Sequence, residues 1–212
     1  MASATTQLAR SREPSTHVER REEAERKLLA AAAKIIAVKG LERFTLAEVG
    51  ETAGYSRGLP RHYFGDKDEL TIRVALYVAE HPILQERLKE KVEPGLATVV
   101  SIIRFFFSVA PKYRTNVRAL SIVLAGVLTN HSLKEPIARM SRAKRAALAE
   151  HIAIGIQRGE IRKDVNPQAQ AILILAQMRG VVMQWLSEQD AVDLEAVETE
   201  FIETLRRGLA TR

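Results

Sequence analysis

The side chains with chemistry to offer are concentrated between Thr45 and Lys67, in the run TLAEVGETAGYSRGLPRHYFGDK. Ser56, Arg57, Arg61, His62 and Tyr63 fall close together there, and no carboxylate lies among them. Such a set suits contacts with nucleic acid. An arginine guanidinium matches the O6/N7 edge of guanine, while Ser, Tyr, Lys and helix-end amides reach phosphate oxygens. Pro60 and Phe64 are four apart and share one face of a helix, which makes that face the inner one. Gly58, Leu59, His62 and Tyr63 then look outward, with Arg57 and Arg61 on the flanks. A short helix of this kind suits the major groove of double-stranded DNA. Lys67 opens the next helix, where its charge and the nearby free amides are placed to hold one phosphate. Arg57, in the first turn, is expected on phosphate; Arg61 either reads a guanine edge or touches phosphate. Thr45, Ser56, Arg57, Gly58, Leu59, Arg61, His62, Tyr63 and Lys67 are the candidate DNA-binding residues.

Other chemistries find no support. Histidines at 17, 62, 81, 131 and 151 include no pair at i, i+4 and no metal-like spacing to carboxylates. There is no Gly-x-Ser-x-Gly, no P-loop and no Gly-x-Gly-x-x-Gly. No catalytic residue, metal or cofactor is therefore expected. Zero cysteines removes disulfides, thiolate zinc sites and cysteine catalysis, and fits a reducing cytoplasm. A formal charge of +6 is compatible with nucleic acid but common among helical proteins, so it decides little. The charged run Glu19 to Lys27 reads as a solvated helix face with local ion pairs. No apolar run reads as long and charge-free enough to span a membrane, and the polar N-terminus shows no secretory signal.

The elements that must position the candidate set are marked by caps. Thr45 and Glu48 have capping-box spacing, and Phe44 with Val49 stand where a hydrophobic staple closes. A helix is predicted from Leu46 to Ala53, ended by Gly54. Ser56 caps the next helix, to Phe64, and Asp66 with Glu69 caps a third. Two helices joined by so short a glycine-containing turn cross steeply, as in a helix-turn-helix. Upstream, Thr16 and Glu19 start a helix near His17, with Leu28, Ala32, Ile35 and Ile36 as its apolar stripe and Gly40 as its end. That stripe should pack on the two motif helices as a small three-helix core. Leu70, Val74, Tyr77 and Val78 extend the following helix until His81-Pro82 stops it. Beyond Pro82 the chain reads as helices alone, at 83–91, 95–110, 113–131, 135–159, 167–189 and 193–209. The whole chain is thus predicted to be all-α.

The segment from about Arg21 to Glu80 resembles the DNA-binding domain of the TetR family of transcriptional regulators. The resemblance rests on Phe44-Thr45, on Ala53-Gly54-Tyr55-Ser56, and on the run Phe64-Gly65-Asp66-Lys67-Asp68-Glu69-Leu70. Leu59, Pro60 and Arg61 depart from it, standing where the family usually has Thr, an aliphatic residue and Tyr. Gly159-Glu160-Ile161-Arg162 with Asp164, and Gly180 with Trp185, are similar, more loosely, to the family's regulatory part. Rich in Ser, Thr, Ala and Arg up to Ser15, residues 1–16 are expected to be a disordered tail. The resemblance implies a helix-turn-helix domain at 17–80 and a helical-bundle ligand-binding and dimerisation domain at 81–212. It implies a homodimer through the last two helices and a cavity for a small-molecule inducer. Aromatic and methionine content points to a mainly apolar ligand, with Phe106, Met140 and Met178 as lining and Asn130 or His131 as its polar contact. The alternative for that region is a packed core without a cavity. The expected function is a repressor released from operator DNA by its inducer. A helical protein-binding adaptor, or a helical enzyme keeping the fold without DNA binding, is the alternative. Arg10 and Arg12 would reach DNA only if the tail is more than a solvated arm.

Overall fold

Capping side chains set most helix boundaries in the computed structural model, which describes residues 16–87 and 92–211. Among the described residues the elements are α1 (His17–Lys39), α2 (Leu46–Thr52), α3 (Leu59–Phe64), α4 (Lys67–Arg87), α5 (Leu96–Lys112), α6 (Arg114–Gly126), α7 (His131–Gln157), α8 (Pro167–Ser187) and α9 (Leu194–Leu209). No strand occurs among them, so the fold is all-α as expected. Thr16 and Glu19 form a complete capping box, the Thr16 amide donating to Glu19 Oε2 at 2.7 Å and the Glu19 amide to Thr16 Oγ1 at 3.2 Å. Thr45 forms only half of one. Its hydroxyl oxygen accepts from the Glu48 amide at 3.2 Å, but the Glu48 carboxylate turns away to Lys39 Nζ at 2.6 Å. Asp66 accepts from the Glu69 amide at 2.9 Å and Asn166 from the Ala169 amide at 2.9 Å. Gly54, at φ 80°, supplies the left-handed residue after α2.

The prolines do less than expected. Pro82 does not end α4, which continues to Arg87; Pro111 lies inside α5 and Pro136 inside α7. Proline forgoes one backbone bond, and near a helix end the remaining bonds carry the chain past it. α7 starts at His131 instead of 135 because the Asn130 side chain caps it, accepting from the Ser132 amide at 2.9 Å. The helix expected over 83–91 is the end of α4, and 88–91 lie outside the described residues. So do residues 1–15, and with them Arg10 and Arg12. The helix after the turn begins at Leu59, not Ser56; the Ser56 side chain makes no cap, while its carbonyl accepts from the Leu59 amide at 3.1 Å.

Two hydrophobic cores result. The first gathers Leu28, Ala32 and Ile36 of α1 with Phe44, Val49, Phe64 and Val74. It is not closed by three helices. It continues through Ala119 and Val123 of α6 into Leu133 and Ile137 of α7, across residue 80. The second joins Ile103 and Phe107 of α5 to Ile152 of α7, Ile174 and Trp185 of α8, and Ile202 and Leu205 of α9. The link before α8 is built into this second core. Glu160 Oε2 accepts from the Leu96 amide at 2.8 Å, placing a carboxylate at the α5 N-terminus where the helix dipole favours it. Ile161 is fully buried, and the Arg162 amide donates to the Leu209 carbonyl at 3.0 Å.

α8 alone of the described helices has the length and apolar composition of a membrane span, contrary to the reading of the sequence. Its inner face carries Ile174, Met178, Val182 and Trp185 into the second core.

Candidate functional site

The helix-turn-helix is held tightly at its turn. Gly50 lies against the chain leading into α3: a Cβ there would sit 2.4 Å from the Ser56 carbonyl oxygen. The Tyr55 amide donates to the Gly50 carbonyl at 2.9 Å. The approach thus needs a residue without a side chain, a role the sequence did not announce.

With Pro60 and Phe64 buried, α3 turns Arg61 and His62 to solvent, and Ser56, Arg57 and Gly58 are exposed beside them. Among the described residues no carboxylate pairs with Arg61. Arg57 Nε is 3.1 Å from Glu51 Oε1, an exposed pair that costs little to open. Thr45 is exposed at the start of α2. Leu59 and Tyr63 do not look outward as expected. Both are half-buried against the first core, on the flank of the inner stripe that Pro60 and Phe64 make. Tyr63 Oη donates to the Arg21 carbonyl at 3.4 Å, with the Arg21 guanidinium 6.0 Å above its ring. Lys67 opens α4 as expected, but its side chain turns back on its own chain. Its ammonium donates to the Glu42 carbonyl at 3.0 Å and lies 4.6 Å from the centre of the Phe44 ring, so it pins the segment before α2.

A cavity of about 630 Å³ opens between α4, α5, α6, α7 and α8. Phe106, Met140 and Met178 line it, with Phe105, Val117 and Leu120. Asn130 and His131 do not. Asn130 is held at the other end of the bundle, its Nδ2 donating to Asp68 Oδ1 at 2.8 Å while its oxygen caps α7; His131 is exposed. The polar side of the cavity comes from residues that the sequence reading passed over: Ser141, Lys144 and Arg145 of α7, Arg179 of α8, and Lys134. Arg179 Nη2 donates to Ser141 Oγ at 3.2 Å, and Lys144 Nζ to the Ala79 carbonyl at 3.5 Å. Burial, and then the neighbouring charge of Arg145, lowers the pKa of Arg179. A signal was available. Ser141, Lys144, Arg145 and Leu148 follow i, i+3, i+4, i+7, one stripe of a helix whose other end is apolar.

Residues 28–74 match the family described as bacterial regulatory proteins, tetR family, and residues 96–211 match the BetI-type transcriptional repressor C-terminal family. The chain is 27% identical over 212 aligned residues to the HTH-type transcriptional regulator CymR of Pseudomonas putida, covering 92% of this chain and 95% of that protein. A Rhodococcus sp. structure described as a TetR-family transcriptional regulator superposes with a TM-score of 0.80 at 22% identity, covering 89% of this chain and 100% of that one. The transcriptional regulator FadR of Bacillus subtilis, in complex with stearoyl-CoA, superposes with a TM-score of 0.75 at 20% identity, covering 86% and 98% respectively.

Proposed function

Because the chain belongs to the TetR family of transcriptional regulators, we propose that it is a cytoplasmic repressor, released from operator DNA by a small molecule and active as a homodimer. Residues 17–80 are its DNA-binding part and 81–212 its ligand-binding and dimerisation part. Arg61 and His62 meet the base edges, with Thr45, Ser56, Arg57 and Gly58 at the phosphates. Lys67 positions the segment before α2 and adds its charge there.

One observation supports the coupling above the others: α6 belongs to both parts. Val117, Leu120 and Leu124 line the cavity, while Ala119 and Val123 of the same helix are fully buried in the core that holds α1. A ligand that shifts α6 presses on the helix-turn-helix through packed side chains. Two DNA-binding units of a dimer must stand about 34–36 Å apart to meet successive major grooves. A ligand that favours a conformer with another spacing weakens operator binding by its differential affinity for the two conformers. Selecting bound fragments from a random DNA library, then sequencing them, tests the reading. A palindromic site with half-sites one helical turn apart is expected. Retention that is independent of sequence at moderate salt counts against it.

A further inference from the structure

We propose that the ligand of this cavity is an amphiphile with an anionic head, carboxylate or phosphate, seated on Arg179, Arg145 and Ser141, and with an apolar body lying along Phe106, Val117 and Leu120. The inference rests on the reading of the cavity as the effector site and adds the chemistry of the effector. Among the described residues, those that line the cavity include Lys134, Lys144, Arg145 and Arg179, and no Asp or Glu. Neither Arg145 nor Arg179 has a carboxylate partner among the described residues. Arg179 has one hydrogen bond there, to Ser141 Oγ at 3.2 Å. Ser141 is buried, and as it accepts from Arg179 its own hydroxyl proton remains to be donated.

Two guanidiniums near each other in a partly buried place repel, and each has lost part of its hydration. An oxyanion between them removes both penalties. The guanidinium fork matches a carboxylate or phosphate in two parallel hydrogen bonds, stronger than those to a neutral oxygen. A neutral head leaves the repulsion in place, and a cationic head increases it. Apart from Asn116 and Ser121 the rest of the wall is aromatic and aliphatic, and about 630 Å³ lies within the roughly 300–1,000 Å³ typical of small-molecule sites. The head is therefore at the α7–α8 side and the body runs toward α5 and α6.

The test is isothermal titration of the full chain with decanoate, decyl phosphate, decanol and decyltrimethylammonium, each below its micelle-forming concentration. One or both anions should bind about tenfold or more tighter than decanol, as charged hydrogen bonds allow, with the ammonium compound weakest. Whichever anion is preferred identifies the head as carboxylate or phosphate. Arg179→Met and Arg145→Met should each narrow the gap between anion and alcohol while decanol binding persists, which shows that the cavity is still folded. Arg179→Lys should keep part of the gap. Equal binding of anions and alcohol to the unmodified protein, no binding of any of the four, or a gap that survives both methionine variants overturns the proposal. If Arg179→Met fails to fold, Arg145→Met decides. Release of selected operator fragments is measured separately. Anion-selective binding without release leaves the ligand class standing and removes the inducer reading; release by decanol as readily as by the anions overturns the ligand class and leaves the inducer reading intact.

Discussion

Arg61 and Lys67 are both cations beside the helix-turn-helix, yet their surroundings separate what they do. Arg61 is exposed and unengaged by any described carboxylate, so its removal changes only what it meets on DNA. Arg61→Ala should cost roughly 1–3 kcal/mol at the selected operator and relax preference at one base pair per half-site. Binding to all single-base variants of the operator checks this, and an unchanged preference would mean that Arg61 touches only phosphate. Lys67 carries the Glu42 carbonyl and the face of Phe44, so Lys67→Ala should lower the melting temperature as well as affinity, with a cation–π share of about 0.5–2 kcal/mol. Its loss of affinity should be uniform across sequences. A variant that loses affinity with no change in melting temperature would put Lys67 on phosphate instead. Glu198 of α9 gives a prediction in pH. Burial raises its pKa, and Arg104 Nε at 4.0 Å only partly offsets this. The folded state therefore holds this proton more tightly than the unfolded chain, so stability falls as pH rises past the ordinary glutamate value of about 4.3. Glu198→Gln should raise the melting temperature at neutral pH, and the gain should vanish below that value; a gain that persists in acid would assign it to something other than charge burial.

At the scale of elements, the turn between α2 and α3 is closely packed against backbone. Gly50→Ala brings a methyl to 2.4 Å from the Ser56 carbonyl, a backbone atom that cannot rotate away. Overpacking of that kind costs about 1–3 kcal/mol, and α3 should lose its docking before the rest of the fold does. Lower helicity is not expected, but weaker DNA binding and faster amide exchange over 55–64 are. Exchange unchanged in that segment would show that the turn yields more easily than its contacts suggest. Gly50 was not legible as a contact residue, because a glycine inside a helical pattern names no neighbour. Caps were legible at Thr16 and Asp66, since capping is decided within three residues of sequence. Prolines 82, 111 and 136 were misread because their effect depends on how near a helix end lies. The cavity's apolar wall followed from composition, whereas its cationic side did not. Arg145 and Arg179 are far apart in sequence, and only the packing of α7 on α8 brings them together.

At the scale of the whole molecule, α8 carries three of the exposed large apolar side chains. Ile172, Leu173 and Met183 are 52%, 56% and 49% exposed, and they lie on the side away from the buried Ile174, Met178 and Trp185. Beside them a groove of about 540 Å³ between α8 and α9 is lined by Gly180, Val181, Val197 and Phe201. A Cβ at Gly180 would meet nothing in this chain, so another backbone has room to approach closely there. A second copy docked with the same face would cover this apolar area as a twofold interface does. The substitution that tests it must leave the monomer alone. Phe201→Glu does not, because the Phe201 ring packs edge-to-face on Phe107 at 6.2 Å within the second core. Leu173→Glu does: its side chain points away from the chain's own core, so the new charge is buried only if a partner covers it. Light scattering of Leu173→Glu at micromolar concentration should give a monomer whose circular dichroism stays helical. Its melting temperature should fall, since association stabilises each folded chain by mass action. Affinity for the full palindrome should drop by much more than affinity for a single half-site, because the two half-sites are no longer bound as one unit. A Leu173→Glu protein that remains dimeric, or an unmodified protein that is monomeric at that concentration, would remove α8 as the interface and with it the spacing on which the proposed release from the operator rests.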